Sequence, residues 1–554
     1  MLPAHIDLTS VDTPTDGTIR LEDLRRIGLL QTSHSDFRGF VDDRLALLGR
    51  TIVALGDLYT HLSGVRNAST QIHRTPPELL AIIFSYLVDS DADLVGATHV
   101  CRKWRSVALD SSRLWTRIYV TSLEKAEAYI LRSRLQLVDV YFMPSPDHTI
   151  RKFSRMLRTL ASRLRTLVVE TLDTSSVSYL MSALGSLPAP HLETLHLLGE
   201  VASDSDRHVV DLFRGGRELF IVNRSAGAHL AHTPVLRSLR LHPIGLRWDT
   251  DLFRGLSELE LRVPDMRPPS QRRILEILKQ CPGLEILNLD LAALTEPIVP
   301  RYDPSWDVHL PSLSKCVLVS LPPDKVSALL SYMILPPTTR FKIVTSERVI
   351  GLTYAVLPRN RSRLPGLVAI HTMEFMVDIA NELIHIHCYH PSIGGLGDPV
   401  LILELSIHRN AGTLLSALPE NFDLSELQTL VVSGLDHPTL FNNGVWGNIF
   451  PSSTKLRTLR LVSLCSTVIR GAFQELVHPR APEGPPCREL SDVELVDIWF
   501  DEKWLAASLV RLATKRKDLG FPLERVELLG ASDVSEWLIT GLRASGVTVA
   551  VDEN

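Results

Sequence analysis

Three histidines and a cysteine fall within six residues of one another in HIHCYH (385–390), and these are the donor types of a zinc centre. Their spacing argues against one. On a strand, alternate side chains take opposite faces, so His385 and His387 share one side while Cys388 and His390 take the other. Four donors divided in this way cannot converge on a tetrahedral ion, and no metal site is expected. GGLGDP (394–399) lacks the G-x-G-x-x-G spacing and the strand-to-helix setting that hold a pyrophosphate, so it reads as a turn. The sequence contains no G-x-S-x-G elbow, Walker loop or H-E-x-x-H pair. No catalytic residue and no cofactor is assigned, although 20 histidines and 63 acidic residues leave room for a triad assembled only by the fold.

Bulk properties narrow the class further. The 554 residues carry a formal net charge of −5, which offers no electrostatic footprint for nucleic acid. Lys515-Arg516-Lys517 is the one short basic cluster and reads as a solvated helix end. No run of about 18 uncharged apolar residues is present, so no membrane span is expected. MLPAHIDLTSVDTPTD has no basic region followed by an apolar stretch, and so does not read as a secretory signal. Six cysteines without a C-x-x-C pair fit reduced thiols, hence a cytoplasmic or nuclear protein.

The elements come in blocks. Residues 1–37 are polar and turn-rich and read as a flexible segment. Over 38–70 an amphipathic helix follows, in which Val41, Leu45, Leu48, Ile52, Leu55, Tyr59 and Leu62 alternate spacings of four and three. That stripe suits either a coiled-coil dimer or packing on the helices that follow, and the second is expected because only about three heptads are present. Then comes IHRTPPELLAIIFSYL (72–87), apolar on more than one face. Thr75 and Glu78 have the spacing of a capping box. After DSDAD, a second helix is expected to carry Leu94, Ala97, Val100, Cys101, Trp104 and Val107. A helix apolar all round must be buried all round, so one face can pack on sister helices while the other needs a partner surface.

The stretch from Ile72 to Val120 resembles an F-box, in the form found in large fungal families where irregular leucine-rich repeats follow it. Pro77-Glu78-Leu79-Leu80, Ile83-Phe84, Leu87, Val100-Cys101, Trp104 and Leu114-Trp115 carry the resemblance. It implies a three-helix module at 71–120 that docks on the Skp-type adaptor of SCF ubiquitin ligases and, through it, on a cullin. By that resemblance Pro77, Leu79, Leu80, Ile83, Phe84, Leu87, Val100, Cys101 and Trp104 form the adaptor face or its support. The chain departs from the family at Thr75, where a leucine is usual.

Beyond the box, TSLE (121–124) reads as a second capping box, and a pattern close to L-x-x-L-x-L then recurs. It starts at Leu164, Leu192, Leu236, Leu256, Leu284 and Leu313, and again at Leu427, Leu456, Leu490 and Leu523. Composition alone would produce roughly six such matches, so the helical stretches that precede several of them carry weight. Helix alternating with strand implies a parallel sheet with helices outside. The expected fold is therefore α/β: an N-terminal α-helical segment and a three-helix F-box, followed over 121–554 by a curved leucine-rich-repeat-like solenoid. Between about 340 and 420 the rhythm fades into degenerate repeats with a long loop, and HPRAPEGPPC (478–487) reads as a surface loop.

In each repeat the fourth and sixth positions point inward, so the fifth lies on the concave face. Those residues are Val168, His196, Arg240, Glu260, Asn288, Val317, Val431, Arg460, Glu494 and Glu527. His196, Arg240, Glu260, Asn288, Arg460, Glu494 and Glu527 are the candidate target-binding face, with an ordinary solvated sheet as the alternative. The expected function is a substrate receptor of an SCF-type ubiquitin ligase that performs no chemistry itself and holds an unidentified target protein. A non-ligase repeat scaffold, or a hydrolase or transferase built on the C-terminal region, are the alternatives.

Overall fold

The computed structural model describes residues 34–142, 149–172, 188–199, 235–242, 251–263, 269–291, 303–345, 356–358, 360–368, 370–390, 398–406, 411–434, 445–478, 484–500 and 503–552, with single positions at 180, 248 and 294. The reading of residues 1–33 as flexible, most of the turn at 394–399 and part of the loop at 478–487 lie outside the described residues. Among the described residues, no helix is long and apolar enough to cross a membrane. All six cysteines are free.

The chain divides into two compact units between Leu114 and Trp115. The first is helical: α1 (His34–Ala68), α2 (Gln71–Arg74), α3 (Pro77–Ser85), α4 (Asp91–Val100) and α5 (Arg102–Asp110). Helix α1 starts four residues before the sequence expectation. Its stripe does not pack inside the chain, since Leu45, Leu48, Ile52, Leu55, Tyr59 and Leu62 are all more than half exposed. That overturns the expected intramolecular packing.

In the second unit, among the described residues, helices are interspersed with runs of strands. Its first half runs β1 (Arg117–Val120), α6 (Leu123–Arg132), β2 (Val138–Phe142), α7 (Thr149–Leu160), β3 (Leu164–Leu172), β4 (Thr194–Gly199), β5 (Ser238–His242), β6 (Glu258–Val263), α8 (Gln271–Lys279), β7 (Ile286–Leu291), β8 (Val308–His309), β9 (Lys315–Val319), α9 (Pro323–Leu330), β10 (Met333–Ile334) and β11 (Arg340–Thr345). Its second half runs β12 (Thr372–Asp378), β13 (Leu383–Tyr389), β14 (Leu401–Ser406), α10 (Ala411–Ser416), α11 (Leu418–Asn421), β15 (Thr429–Ser433), α12 (Trp446–Ser452), β16 (Thr458–Val462), α13 (Ser466–Val477), β17 (Asp492–Val496), α14 (Lys503–Asp518), β18 (Arg525–Leu529), α15 (Glu536–Ala544) and β19 (Thr548–Asp552). Apart from the small β8–β10 pair, the strands among the described residues form one seventeen-stranded sheet.

That sheet is mostly parallel, and its strands follow chain order up to β11 and again from β15 to β19. Between them the order inverts. β14 pairs in parallel with β11, β13 is antiparallel to both β14 and β12, and β12 pairs in parallel with β15. In place of the expected degenerate repeats with a long loop between about 340 and 420, the described strands β12 to β14 form a three-strand antiparallel meander, a correction that local periodicity could not supply.

Two backbone devices recur. At the strand entrances, one carbonyl accepts from two successive N–H groups of the next unit: Glu193 O from Arg237 and Ser238, Arg237 O from Ser257 and Glu258, Arg457 O from Ser491 and Asp492. At several strand exits the following residue is left-handed: Ser320, Gly434, Ser463, Asp497 and Gly530. Several of these N–H groups donate to the last carbonyl of the next strand, as Ser463 does to Val496 at 2.9 Å. Gly434 is required there, because a Cβ would stand 2.0 Å from the Val377 carbonyl oxygen.

Burial follows the leucines. Leu167, Leu195, Leu239, Leu259 and Leu287 sit in one register row, each no more than 1% exposed. Each contributes about 1.5–3 kcal/mol by leaving water. The row continues through Cys316 and Cys388, whose thiols burial pushes up and keeps protonated.

One capping expectation shifts by a residue, and the basic cluster divides. Ser122, not Thr121, caps α6 by accepting from Lys125 N. The basic cluster does close α14, with Lys515 and Lys517 exposed, but Arg516 is fully buried. Its guanidinium donates to the carbonyls of Leu476, Pro486 and Cys487, the last at 2.8 Å. A single cation thus satisfies the end of α13 and the loop that enters β17. Arg516→Met should strand those carbonyls and lower unfolding stability by about 3 kcal/mol, read as a drop in the denaturant midpoint. An unchanged midpoint would show that the cation is dispensable.

Candidate functional site

Two surfaces answer to the candidate residues. The first lies on α3–α5. Helix α3 begins after Pro76, with Pro77 in its first turn, and no side chain caps it. The expected Thr75–Glu78 capping box does not form, because Thr75 ends α2 with its N–H bonded to Ile72 O. The ammonium of Lys103 covers that helix end, donating to the carbonyls of His73 and Thr75. A cation there suits both the unpaired carbonyls and the helix dipole.

Helix α3 then divides its apolar residues between two faces. Leu80 and Phe84, one turn apart, point inward with at most 1% exposure, and the Phe84 ring lies 5.2 Å from that of Trp104. Leu79, Ile82, Ile83 and Tyr86 point outward, 51%, 54%, 46% and 82% exposed. Pro77 is exposed as well, and Leu87 is half-buried. The expected single helix around Trp104 is in fact two helices. Cys101 adopts an extended backbone between α4 and α5, and its Sγ accepts from Trp104 N at 3.4 Å. Val100, the last residue of α4, is 57% exposed, while Cys101 and Trp104 are half-buried. The nine candidate residues therefore separate. Pro77, Leu79, Ile83 and Val100 present themselves to solvent, Leu80 and Phe84 support them from inside, and Leu87, Cys101 and Trp104 lie between. Ile82 and Tyr86 belong to the exposed patch too, and helical spacing along α3 could have identified them.

The second surface is the sheet face opposite the leucines. All ten fifth-position residues fall in one register row. Val168, His196, Arg240, Glu260, Asn288 and Val317 are successive cross-strand partners, and so are Val431, Arg460, Glu494 and Glu527. Lys342, Ile402, His387 and Glu374 join the two runs across the meander. Period two also brings the third positions onto this face, among them Ser238 and Glu258, which the pattern reading passed over.

Many polar groups of this face engage one another. Ser238 Oγ donates to Glu258 Oε2 at 2.6 Å, and the Arg240 guanidinium reaches both Glu258 and Glu260. Asn288 Nδ2 and His242 Nε2 lie 3.0 and 2.9 Å from Glu260 Oε1. Arg262 pairs with Asp290, and Arg460 with Glu494. Burial pushes the Glu494 carboxyl up against the pull of Arg460, with Glu527 adding to the rise. His196 Nε2 is 2.8 Å from Ser238 Oγ. Because the serine proton goes to Glu258, the histidine must donate here, and it cannot act as a base on that hydroxyl. Burial raises the Glu258 pKa, but hydrogen bonds from Ser238 and Arg240 outweigh it and hold the carboxyl below its usual range, which makes it a weak base.

The histidine-rich segment is strand β13. His385 and His387 lie half-buried on one face with ring centroids 6.3 Å apart, and Cys388 is buried on the other. His387 and Tyr389 both approach Glu374, while His390 stands beside His371. Among the described residues, no group of three or more potential metal ligands converges.

Burial, with Arg240 adding to it, pulls the His196 pKa down from 6.5 to about 4. A base whose folded pKa is depressed favours the folded state while neutral. Its stabilisation is present above about 6.5 and is lost as the pH falls through about 4. Thermal melting of the intact protein should therefore decline over that window, and His196→Gln should flatten the decline; equal slopes for both proteins would remove His196 from the account. Phe84→Ala empties a buried aromatic site and should cost the helical unit roughly 3–5 kcal/mol, seen as an early loss of helical signal. Wild-type melting would mean that the ring is not part of the core.

No curated protein matches the chain. Residues 73–121 match the F-box-like family, a span that runs from the end of α2 through β1, so the chain carries an F-box-like domain.

Proposed function

We propose that the chain is the substrate-recognition subunit of an SCF-type ubiquitin ligase, with its F-box-like domain docked on a Skp-type adaptor and, through that adaptor, on a cullin. The observation that carries the reading is the F-box-like match over 73–121, inside which Leu79, Ile82, Ile83, Tyr86 and Val100 stay exposed. Such a patch calls for a partner surface. The second unit is read as an irregular leucine-rich-repeat array, a curved solenoid supported by the recurring strand entrances, and its polar row holds the target protein. The chain contributes position rather than chemistry, raising the concentration of target near a charged conjugating enzyme. The compartment is cytoplasmic or nuclear, where the free thiols stay reduced.

Adaptor co-purification tests this. Wild-type chain should capture a Skp-type adaptor, and Leu79→Asp with Ile83→Asp should weaken capture at least tenfold, about 1.4 kcal/mol or more, without moving the melting temperature. Arg460→Glu on the sheet face should leave capture intact and reduce retention of the target. Arg240 is the poorer choice for charge reversal because Glu258 and Glu260 already engage it. A wild-type chain that ignores the adaptor would favour the repeat scaffold instead.

A further inference from the structure

Helix α1 exposes more large apolar surface than any other described helix. Leu45, Leu48, Ile52, Leu55, Tyr59 and Leu62 form a seam with alternating three- and four-residue steps, and each is between 54% and 76% exposed. Leu58 and Val65 flank the seam on one side, while Gly49, Gly56 and Ser63 flank it on the other at seven-residue steps. We propose that α1 is a dimerisation element in which two copies of the chain pair in parallel along this seam.

Three observations select a second copy as the occupant. A repeat of 3.5 residues matches a partner helix with the same repeat, and the seam spacing in Val41–Leu62 keeps it throughout. The flanks are self-complementary in the parallel arrangement, where the residue just before a seam pair faces the one five positions on in the partner. Thr51 then faces Gly56 of the second copy, and Leu58 faces Ser63, so each bulky edge covers a small one. Built Cβ atoms at Gly49 and Gly56 meet nothing within 4 Å, so no contact in the chain accounts for glycines that weaken a helix interior by about 1 kcal/mol each. The area also suffices. By the usual proportionality, burying eight such side chains removes roughly 500–1,000 Å² per helix, and a pair then brackets the ~1,600 Å² of a standard interface.

Sedimentation of the full chain, bound to adaptor if it requires one, reads the proposal. The wild type should have twice the mass of one protomer, or of one protomer–adaptor complex. Leu48→Glu with Leu55→Glu should halve that mass, while Arg50→Ala, at a position opposite the seam, should not change it. Leu62→Cys should form an intermolecular disulfide that the wild type lacks, because seam positions meet their own copies only in a parallel pair. A single-protomer wild type, or a dimer that survives the double glutamate variant, overturns dimerisation through α1. A dimer lost in that variant but not crosslinked through Leu62→Cys overturns the parallel arrangement.

Discussion

The sheet depends on register. The described strands pair so that one row of residues runs in step from Val168 on β3 to Glu527 on β18, the fifth-position residues joined across the meander by Lys342, Ile402, His387 and Glu374, with a buried residue meeting a buried one directly beside it. Side chains alternate with period two, so a slip of one residue at any step would carry every leucine beyond it to the solvent face. The doubled hydrogen bonds at the strand entrances oppose that slip, since one carbonyl holds two consecutive N–H groups of the following unit. The polar network around Glu258 and Glu260 is a product of the same constraint. Arg240, Asn288 and the two glutamates are neighbours only because three strands keep step.

The helical unit solves a different problem. Within the nine residues of α3 it must bury enough surface to hold three short helices together and still leave apolar surface outside. It does so by giving one helical face to Leu80 and Phe84 and another to Leu79 and Ile83. The break at Cys101 is what lets Trp104 meet Phe84, because a continuous helix through that point would follow a single axis. A thiol is a weak acceptor for a helix cap, but it is small and apolar enough to sit half-buried beside the exposed Val100.

What the amino-acid sequence disclosed was local. Leucine spacing located the strands and assigned their faces, and the proline-led apolar run marked the F-box-like segment. Capping boxes were readable as candidates but not as outcomes. Thr75 loses its role because the chain forms one more short turn, α2, before the prolines. Arg516 looks like its lysine neighbours in the sequence, and only the convergence of four carbonyls from the end of α13 and the loop before β17 makes it an interior residue. The exposure of the α1 seam was equally hidden, since spacing states that a stripe exists and is silent about what covers it. The polar network on the sheet was half legible: period two places Ser238 and Glu258 beside Arg240, but their satisfaction by one another depends on neighbouring strands.

The inverted order of β12, β13 and β14 bears on how the molecule is assembled as it is synthesised. An array laid down in chain order can grow by adding each new strand to the last, with only a short loop to close. Here β11 finds its next neighbour in β14, with Phe341 paired to Leu401, sixty residues on, and β12 waits for β15 across a similar gap. Closing such loops is slow compared with forming the meander, whose strands are consecutive. The meander can therefore form first, by itself, and dock as a block, its β14 edge against β11 and its β12 edge left to receive β15. Until that docking, β11 keeps an unpaired edge while the nascent chain lengthens, which makes this the interval when another strand, or another copy of the chain, could take its place.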